Sequence, residues 1–96
     1  MKVKLDDYDV RILINGLHQQ WEHCVGEGRA QIGELILRLA ALSDKMKPNR
    51  RKKIPFTPEE SRLICRCLVD WRNLELQNEK HTAAEVIGEL LILFTG

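Results

Sequence analysis

Ile32-Gly33-Glu34-Leu35-Ile36-Leu37-Arg38-Leu39 returns later in the chain as Ile87-Gly88-Glu89-Leu90-Leu91-Ile92-Leu93-Phe94. Both stretches open on Ile-Gly-Glu-Leu and continue as an apolar helical run. Further upstream, Lys2-Val3-Lys4-Leu5, followed by an acidic helix start, returns as Lys53-Ile54-Pro55-Phe56, followed by another. An internal repeat fixes architecture before any single residue is interpreted. Here it predicts two helical hairpins side by side.

Caps and apolar periodicity place four helices. The first runs from about Asp7 to Cys24, with Asp6 as N-cap, Asp9 at the third helical position and Leu5 stapled onto Val10. Its stripe is Val10, Leu13, Ile14, Leu17, Trp21 and Cys24. Gly26-Glu27-Gly28 supplies the stop. The second helix covers about Arg29 to Ser43 and turns Ile32, Leu35, Ile36, Leu39 and Leu42 to one side; Pro48 and its charged neighbours end it. The third starts at Thr57-Pro58 with Glu60 completing a capping box, and buries Leu63, Ile64, Cys67, Leu68, Trp71 and Leu74. A second box, Thr82 to Glu85, is expected to open the fourth, which buries Ala83, Val86, Ile87, Leu90, Leu91 and Phe94. No strand-like alternation stands out. The expected fold is all-α: a four-helix antiparallel bundle of two consecutive hairpins, about 6–43 and 56–96, joined by a basic linker over 44–55.

The repeat does not align in one register. Helix starts pair at a spacing of 51 (Asp9 with Glu60, Arg11 with Arg62, Ile12 with Leu63), the expected buried faces and the tryptophans Trp21 and Trp71 at 50, and the second helices at 55. A duplicated hairpin is favoured over four unrelated helices that obey the same patterning rules.

At 96 residues and 44% hydrophobic content the chain fits a single domain with a modest core. No apolar run approaches the roughly 20 residues of a membrane span, and Met1-Lys2-Val3-Lys4-Leu5-Asp6-Asp7 lacks the apolar region of a signal peptide. The expectation is a cytoplasmic protein without membrane contact. Cys24, Cys65 and Cys67 are odd in number and lie within apolar helical patterns, where free cysteine packs as a small hydrophobe. Cys65 and Cys67, two apart on a helix, diverge by about 200° and cannot close on one ion. Neither a metal nor another cofactor is expected.

Fifteen basic residues nearly balance fourteen acidic ones, but they are not evenly spread. Lys45, Lys47, Arg50, Arg51, Lys52 and Lys53 crowd into the linker, leaving nine positive charges against fourteen negative elsewhere, a net of −5. The linker has a shorter basic echo at Lys2 and Lys4. Such a run can neutralise phosphates of a nucleic acid or nucleotide, and arginine adds bidentate phosphate geometry. No aromatic residue interleaves it and no recognition helix adjoins it, so a solvated linker balancing an acidic bundle is the commoner explanation.

A second surface repeats with the core. Gly33 and Leu37 flank the stripe of the second helix, and Gly88 and Ile92 take the same face of the fourth. Mid-helix glycine costs about 1 kcal/mol relative to alanine, so its repetition marks a backbone that something approaches closely. The favoured explanation is that the second and fourth helices cross there. The functional one is an apolar face that docks a protein partner or a second copy, and Ile12, Leu76 and Leu93, outside the main stripes, add to it.

Catalysis has little support. His18, His23 and His81 have no convincing partners, the acidic residues gather at helix starts, and phosphate loops, nucleophile elbows and HExxH patterns are missing. Trp21 and Trp71 are expected in the core, closing one end of the bundle. In size and helical style, over its whole length and on no motif, the chain is similar to small accessory or inhibitor proteins encoded by phages and other mobile elements. That resemblance implies action by occluding a host protein's surface. The leading expectation is a non-catalytic protein-interaction or assembly module, oligomeric by preference. The alternative is nucleic-acid or nucleotide binding through Lys45–Lys53.

Overall fold

Helix caps and apolar stripes set most of the architecture in the computed structural model, which describes residues 1–24 and 26–95, with Glu27 placed by its backbone alone. Gly96, the last residue assigned to the second hairpin, lies outside the described residues. Along the chain run β1 (Lys2–Leu5), α1 (Asp7–His23), α2 (Glu27–Lys45), β2 (Lys52–Pro55), α3 (Pro58–Gln77) and α4 (His81–Thr95). The fold is largely helical, as expected. α1 packs on α2, α3 on α4, and α1 on α3 between the hairpins.

The two capping boxes that open α1 and α3 form as the sequence requires. Asp6 Oδ1 accepts the Asp9 N–H at 2.7 Å, and Asp9 Oδ2 accepts the Asp6 N–H at 3.2 Å. Thr57 Oγ1 accepts from Glu60 N at 3.1 Å while Glu60 Oε1 accepts from Thr57 N at 2.8 Å. The box expected at Thr82 does not form. α4 begins one residue earlier, where the Lys80 carbonyl accepts the Ala84 N–H at 3.1 Å, so Thr82 lies inside the first turn. Gly26 links α1 to α2 with φ of 72°, a left-handed conformation that glycine adopts without a Cβ penalty.

A strand pair is the principal departure from the sequence expectation. β1 and β2 are antiparallel, with Lys2 opposite Pro55, Val3 opposite Ile54, Lys4 opposite Lys53 and Leu5 opposite Lys52. The Phe56 N–H donates to the Met1 carbonyl at 2.8 Å and extends the ladder. The end of the supposed linker is therefore a strand. Val3, Leu5, Ile54 and Phe56 are buried, whereas Lys2, Lys4, Lys53 and Pro55 are exposed. A lone two-stranded ribbon is marginal in water. Here the helices cover its apolar side, with Phe56 meeting Phe94 of α4 edge to face at 5.3 Å.

The repeat holds more strictly than the sequence implied. Val3 and Leu5 correspond to Ile54 and Phe56, and buried Val10, Leu13, Gly16 and Leu17 of α1 correspond to buried Ser61, Ile64, Cys67 and Leu68 of α3, all at a spacing of 51. The register of 50 for the buried faces is thus corrected: it aligned the tryptophans, which are not equivalent. Ile32, Leu35 and Leu39 of α2 correspond to Ile87, Leu90 and Phe94 of α4 at 55, all buried. Each half is a strand followed by two helices.

The tryptophans do not share one end of the core. Trp71 lies across Gly16 at the α1–α3 crossing, where a Cβ on Gly16 would come within 2.7 Å of the indole Cε3. Its indole Nε1 is buried without a hydrogen-bond partner, a cost of that close approach. Trp21 is half-buried beside α2. Leu74, expected inside, is 47% exposed, because the covered face of α3 continues from Trp71 to Glu75, one residue on, and leaves Leu74 beside it.

One polar contact fastens the first half to the second. Arg38 of α2 pairs with Glu60 at 2.9 Å, donates from Nη2 to the Pro55 carbonyl at 3.1 Å and lies over the Phe56 ring at 5.3 Å. Its counterpart in α4 is Leu93, so nothing repeats this latch.

Gly16→Ala and Gly88→Ala should move stability in opposite directions. Alanine gains about 1 kcal/mol of helix propensity at either site. At position 16 its methyl must displace a packed indole, an overpacking cost of about 1–3 kcal/mol that exceeds the gain. At position 88 it meets only the Arg72 side chain, 3.5 Å away at Nε. Urea midpoints are expected to fall for Gly16→Ala and to hold or rise for Gly88→Ala.

Candidate nucleic-acid interface

The basic segment is assembled from the end of a helix, a turn and a strand. Lys45 is the last residue of α2. Lys47 and Arg50 bracket a turn in which the Arg50 N–H donates to the Lys47 carbonyl at 3.3 Å. Asn49, in the left-handed region with φ of 61°, donates its N–H to Asp7 Oδ1 at 3.2 Å, which ties the turn to the start of α1. Arg51 leads into β2, which carries Lys52 and Lys53. All six basic side chains are exposed.

Strand pairing then adds two more. Lys2 and Lys4 of β1 join the outer side of the same ribbon, with Lys4 directly across from Lys53. The sequence registered them only as an echo, because nothing local shows that residues about fifty apart will pair. Eight of the fifteen basic residues thus lie on the ribbon or in the segment that leads into it, leaving seven for the rest of the chain. Among the described residues none of the eight is in an ion pair.

The nearby carboxylates are already engaged. Asp7 accepts from Asn49 and faces Arg11 at 3.7 Å. Asp9 is held in its capping box; burial raises its pKa, opposed by its hydrogen bond to the Asp6 backbone and by the attraction of Arg51. Opposed lysines on one face of a strand pair repel each other. The protein carries that repulsion at Lys4 and Lys53 without a neutralising partner.

Gly33 and Gly88 have a different role from the one expected. α2 and α4 form no packed pair, so the glycines do not mark a crossing of those helices. Each admits a side chain from its own hairpin: Trp21, 3.3 Å from the position of a Cβ on Gly33, and Arg72, 3.5 Å from one on Gly88. These occupants are themselves equivalent at a spacing of 51. A shallow groove over Gly33 is lined by His18, Trp21, Ile36 and Leu37, and one over Gly88 by Arg72, Leu76, His81, Leu91 and Ile92. Leu37 and Ile92, equivalent at 55, are 73% and 64% exposed on the rims. The Arg29 guanidinium covers part of the Trp21 ring at 4.0 Å.

Other reactive side chains are scattered. His18 lies 3.4 Å from Glu22 on an exposed face of α1. The cysteines are free; Cys67 is buried at the position equivalent to Gly16, and burial pushes its thiol up to about 11, far from a reactive thiolate. Among the described residues no group of three His, Cys, Asp or Glu side chains is placed to hold a metal, and no helix is long and apolar enough to cross a membrane.

If Lys4 and Lys53 repel across the ribbon, Lys4→Glu should stabilise the fold. A gain of about 0.2–1 kcal/mol in low salt is expected from reversing one member of a cross-strand pair. Thermal denaturation at several salt concentrations checks it: the gain should shrink as the Debye length falls to about 3 Å near 1 M.

Compared with known proteins, the chain matches no family model, no curated protein and no solved structure.

Proposed function

We propose that this protein binds double-stranded DNA through the outer face of the β1–β2 ribbon. The observation that carries the reading is the set of eight exposed basic residues without ion-pair partners, gathered on and beside a ribbon whose other side is core. Strands about 4.8 Å apart make a narrow element, and the major groove of B-form DNA, about 12 Å wide, admits a two-stranded ribbon. The deep, narrow major groove of A-form RNA does not. Lysine supplies three N–H donors and no acceptor, which suits phosphate oxygens and the O6 and N7 acceptors of guanine. The largest dimension of the molecule, 34 Å, is close to one turn of B-DNA, about 34–36 Å. One molecule should therefore cover about one turn.

Binding to a labelled 20-base-pair duplex, followed by fluorescence anisotropy, tests this. Affinity should fall by about three to five orders of magnitude between 50 and 200 mM salt if most of the eight side chains meet phosphates. Replacing Arg50, Arg51, Lys52 and Lys53 with alanine should flatten the log–log salt dependence by about 3 to 4 while the circular dichroism spectrum is retained. No anisotropy change at 50 mM salt rejects the reading.

The outer helix faces favour a second reading, self-assembly. Leu37 and Ile92 are exposed apolar residues at equivalent places in one chain. Glu85 and Glu89 against Arg72 make the second groove acidic, whereas the hollow on the other side of Gly33 from the first groove balances Arg29 with Glu34. The α2 face of one copy can thus take the α4 face of another in a head-to-tail contact. Light scattering at micromolar concentration should then show species heavier than a monomer, lost in Leu37→Lys with Ile92→Lys. A monomeric mass removes this reading and leaves DNA binding untouched.

A further inference from the structure

Val3 lies opposite Ile54, its own counterpart at a spacing of 51. The pseudo-dyad relating the two halves therefore passes between these residues, through the centre of the ribbon. On the solvent side, four positions flank it in two cross-strand rows: Lys4 with Lys53, and Lys2 with Pro55. The dyad exchanges Lys2 with Lys53 and Lys4 with Pro55. The first exchange conserves chemistry and the second does not. Lys4 carries a charge and three donors, whereas Pro55 has neither and lacks even a backbone N–H.

Flanking residues deepen the imbalance. Lys52, Arg51 and Arg50 continue from the Lys4–Lys53 end, and the dyad relates Lys52 to Met1. Near Pro55 the cationic neighbours are the Met1 ammonium, held by the Phe56 carbonyl at 3.3 Å, and Arg38, whose guanidinium is held by Glu60 at 2.9 Å and by the Pro55 carbonyl at 3.1 Å. The carboxylates near the Lys4 end, Asp7 and Asp9, are taken up by Arg11 and Asn49 and by the capping box. Backbone geometry is thus two-fold while the presented chemistry is not.

We infer that a single chain occupies one non-palindromic duplex site in a single orientation, with Lys4 as the residue that sets the polarity. The inference rests on the duplex reading above. A symmetric sequence offers identical groups to both halves of a bound ribbon. Here one half meets Lys4 and Lys53, and the other meets Lys2 beside a proline ring. The preferred site should present guanine, or closely approached phosphates, under the Lys4–Lys53 row and be indifferent under Pro55.

Selection from a pool of duplexes with a random 14-base-pair core, at 100 mM salt, tests this with the full chain. The expected result is an enriched motif without dyad symmetry, bound one chain to one duplex. Lys4→Ala should flatten the salt dependence by about 1 and relax preference on one side of the motif only. Pro55→Lys should steepen it by about 1 and draw the selected motif toward a palindrome, with Pro55→Ala controlling for the loss of the ring. A palindromic motif, two chains per site, or no enriched motif despite duplex binding overturns the inference and leaves the duplex reading standing. No retention of any duplex even at 50 mM salt overturns both.

Discussion

Everything distinctive about this molecule depends on eight residues pairing as two strands. Lys2–Leu5 and Lys52–Pro55 are separated by two helices, yet their ladder closes the chain on itself and sets the axis about which the halves are arranged. Neither strand could persist alone, since four residues on a solvated ribbon do not offset their ordering entropy. What holds them is one apolar side. Val3, Leu5, Ile54 and Phe56 are each no more than 3% exposed and belong to the same core as the inward faces of all four helices. The pairing that completes the core thereby fixes which lysines must face water.

This coupling explains why the helices were legible from sequence and the ribbon was not. Asp6 with Asp9 and Thr57 with Glu60 signal helix starts within four residues, and the stripes of α1 and α3 repeat often enough to survive an error of a turn. A four-residue strand has no such redundancy. Lys2-Val3-Lys4-Leu5 alternates, but Lys52-Lys53-Ile54-Pro55 reads as the tail of a basic loop, and its proline argues against a strand unless it takes an edge or an end. Pro55 is the last residue of β2. The same limit hid the site: linker cations are visible in one dimension, whereas their union with Lys2 and Lys4 exists only after pairing. Gly33 and Gly88 show the converse. A tight approach occurs at Gly33 alone, whereas Gly88 meets its neighbour at ordinary contact distance, and the approaching groups, Trp21 and Arg72, sit on the neighbouring helix of the same hairpin. Periodicity on one helix cannot specify which element arrives from outside.

Electrostatics separates a structural role for the ribbon from a binding one. A surface that only had to close the core would place opposite charges, or threonines, across from each other, because cross-strand pairs of that kind contribute up to about 1 kcal/mol. Lys4 opposite Lys53 does the reverse. Nor is the molecule short of carboxylates, with fourteen in the chain. Those near the ribbon are held by caps and by Arg11, while other ion pairs, such as Arg62 with Glu59 and Lys80 with Glu75, lie on α3 and beyond its end. The segregation is therefore not a by-product of composition. The Lys4–Lys53 row is left without a counter-charge because the carboxylates beside it are engaged in the start of α1.

Carrying both halves on one polypeptide changes what such a surface can do. In a pair of identical chains any residue placed on the ribbon appears twice, so every improvement to one half-site is imposed on the other. Here the buried positions have kept their equivalence, Val3 with Ile54, Leu13 with Ile64 and Ile32 with Ile87, because both halves must fill matching halves of one core. The exposed positions are free of that constraint. They differ between the halves: lysine against proline on the ribbon, and Arg38 against Leu93 at its flank. Arg38 shows that this freedom reaches the scaffold as well. Its latch on Glu60 and Pro55 has no counterpart in the second half, whereas the other end of the ribbon runs straight into the capping box of α1, with the preceding turn tied to Asp7 through Asn49.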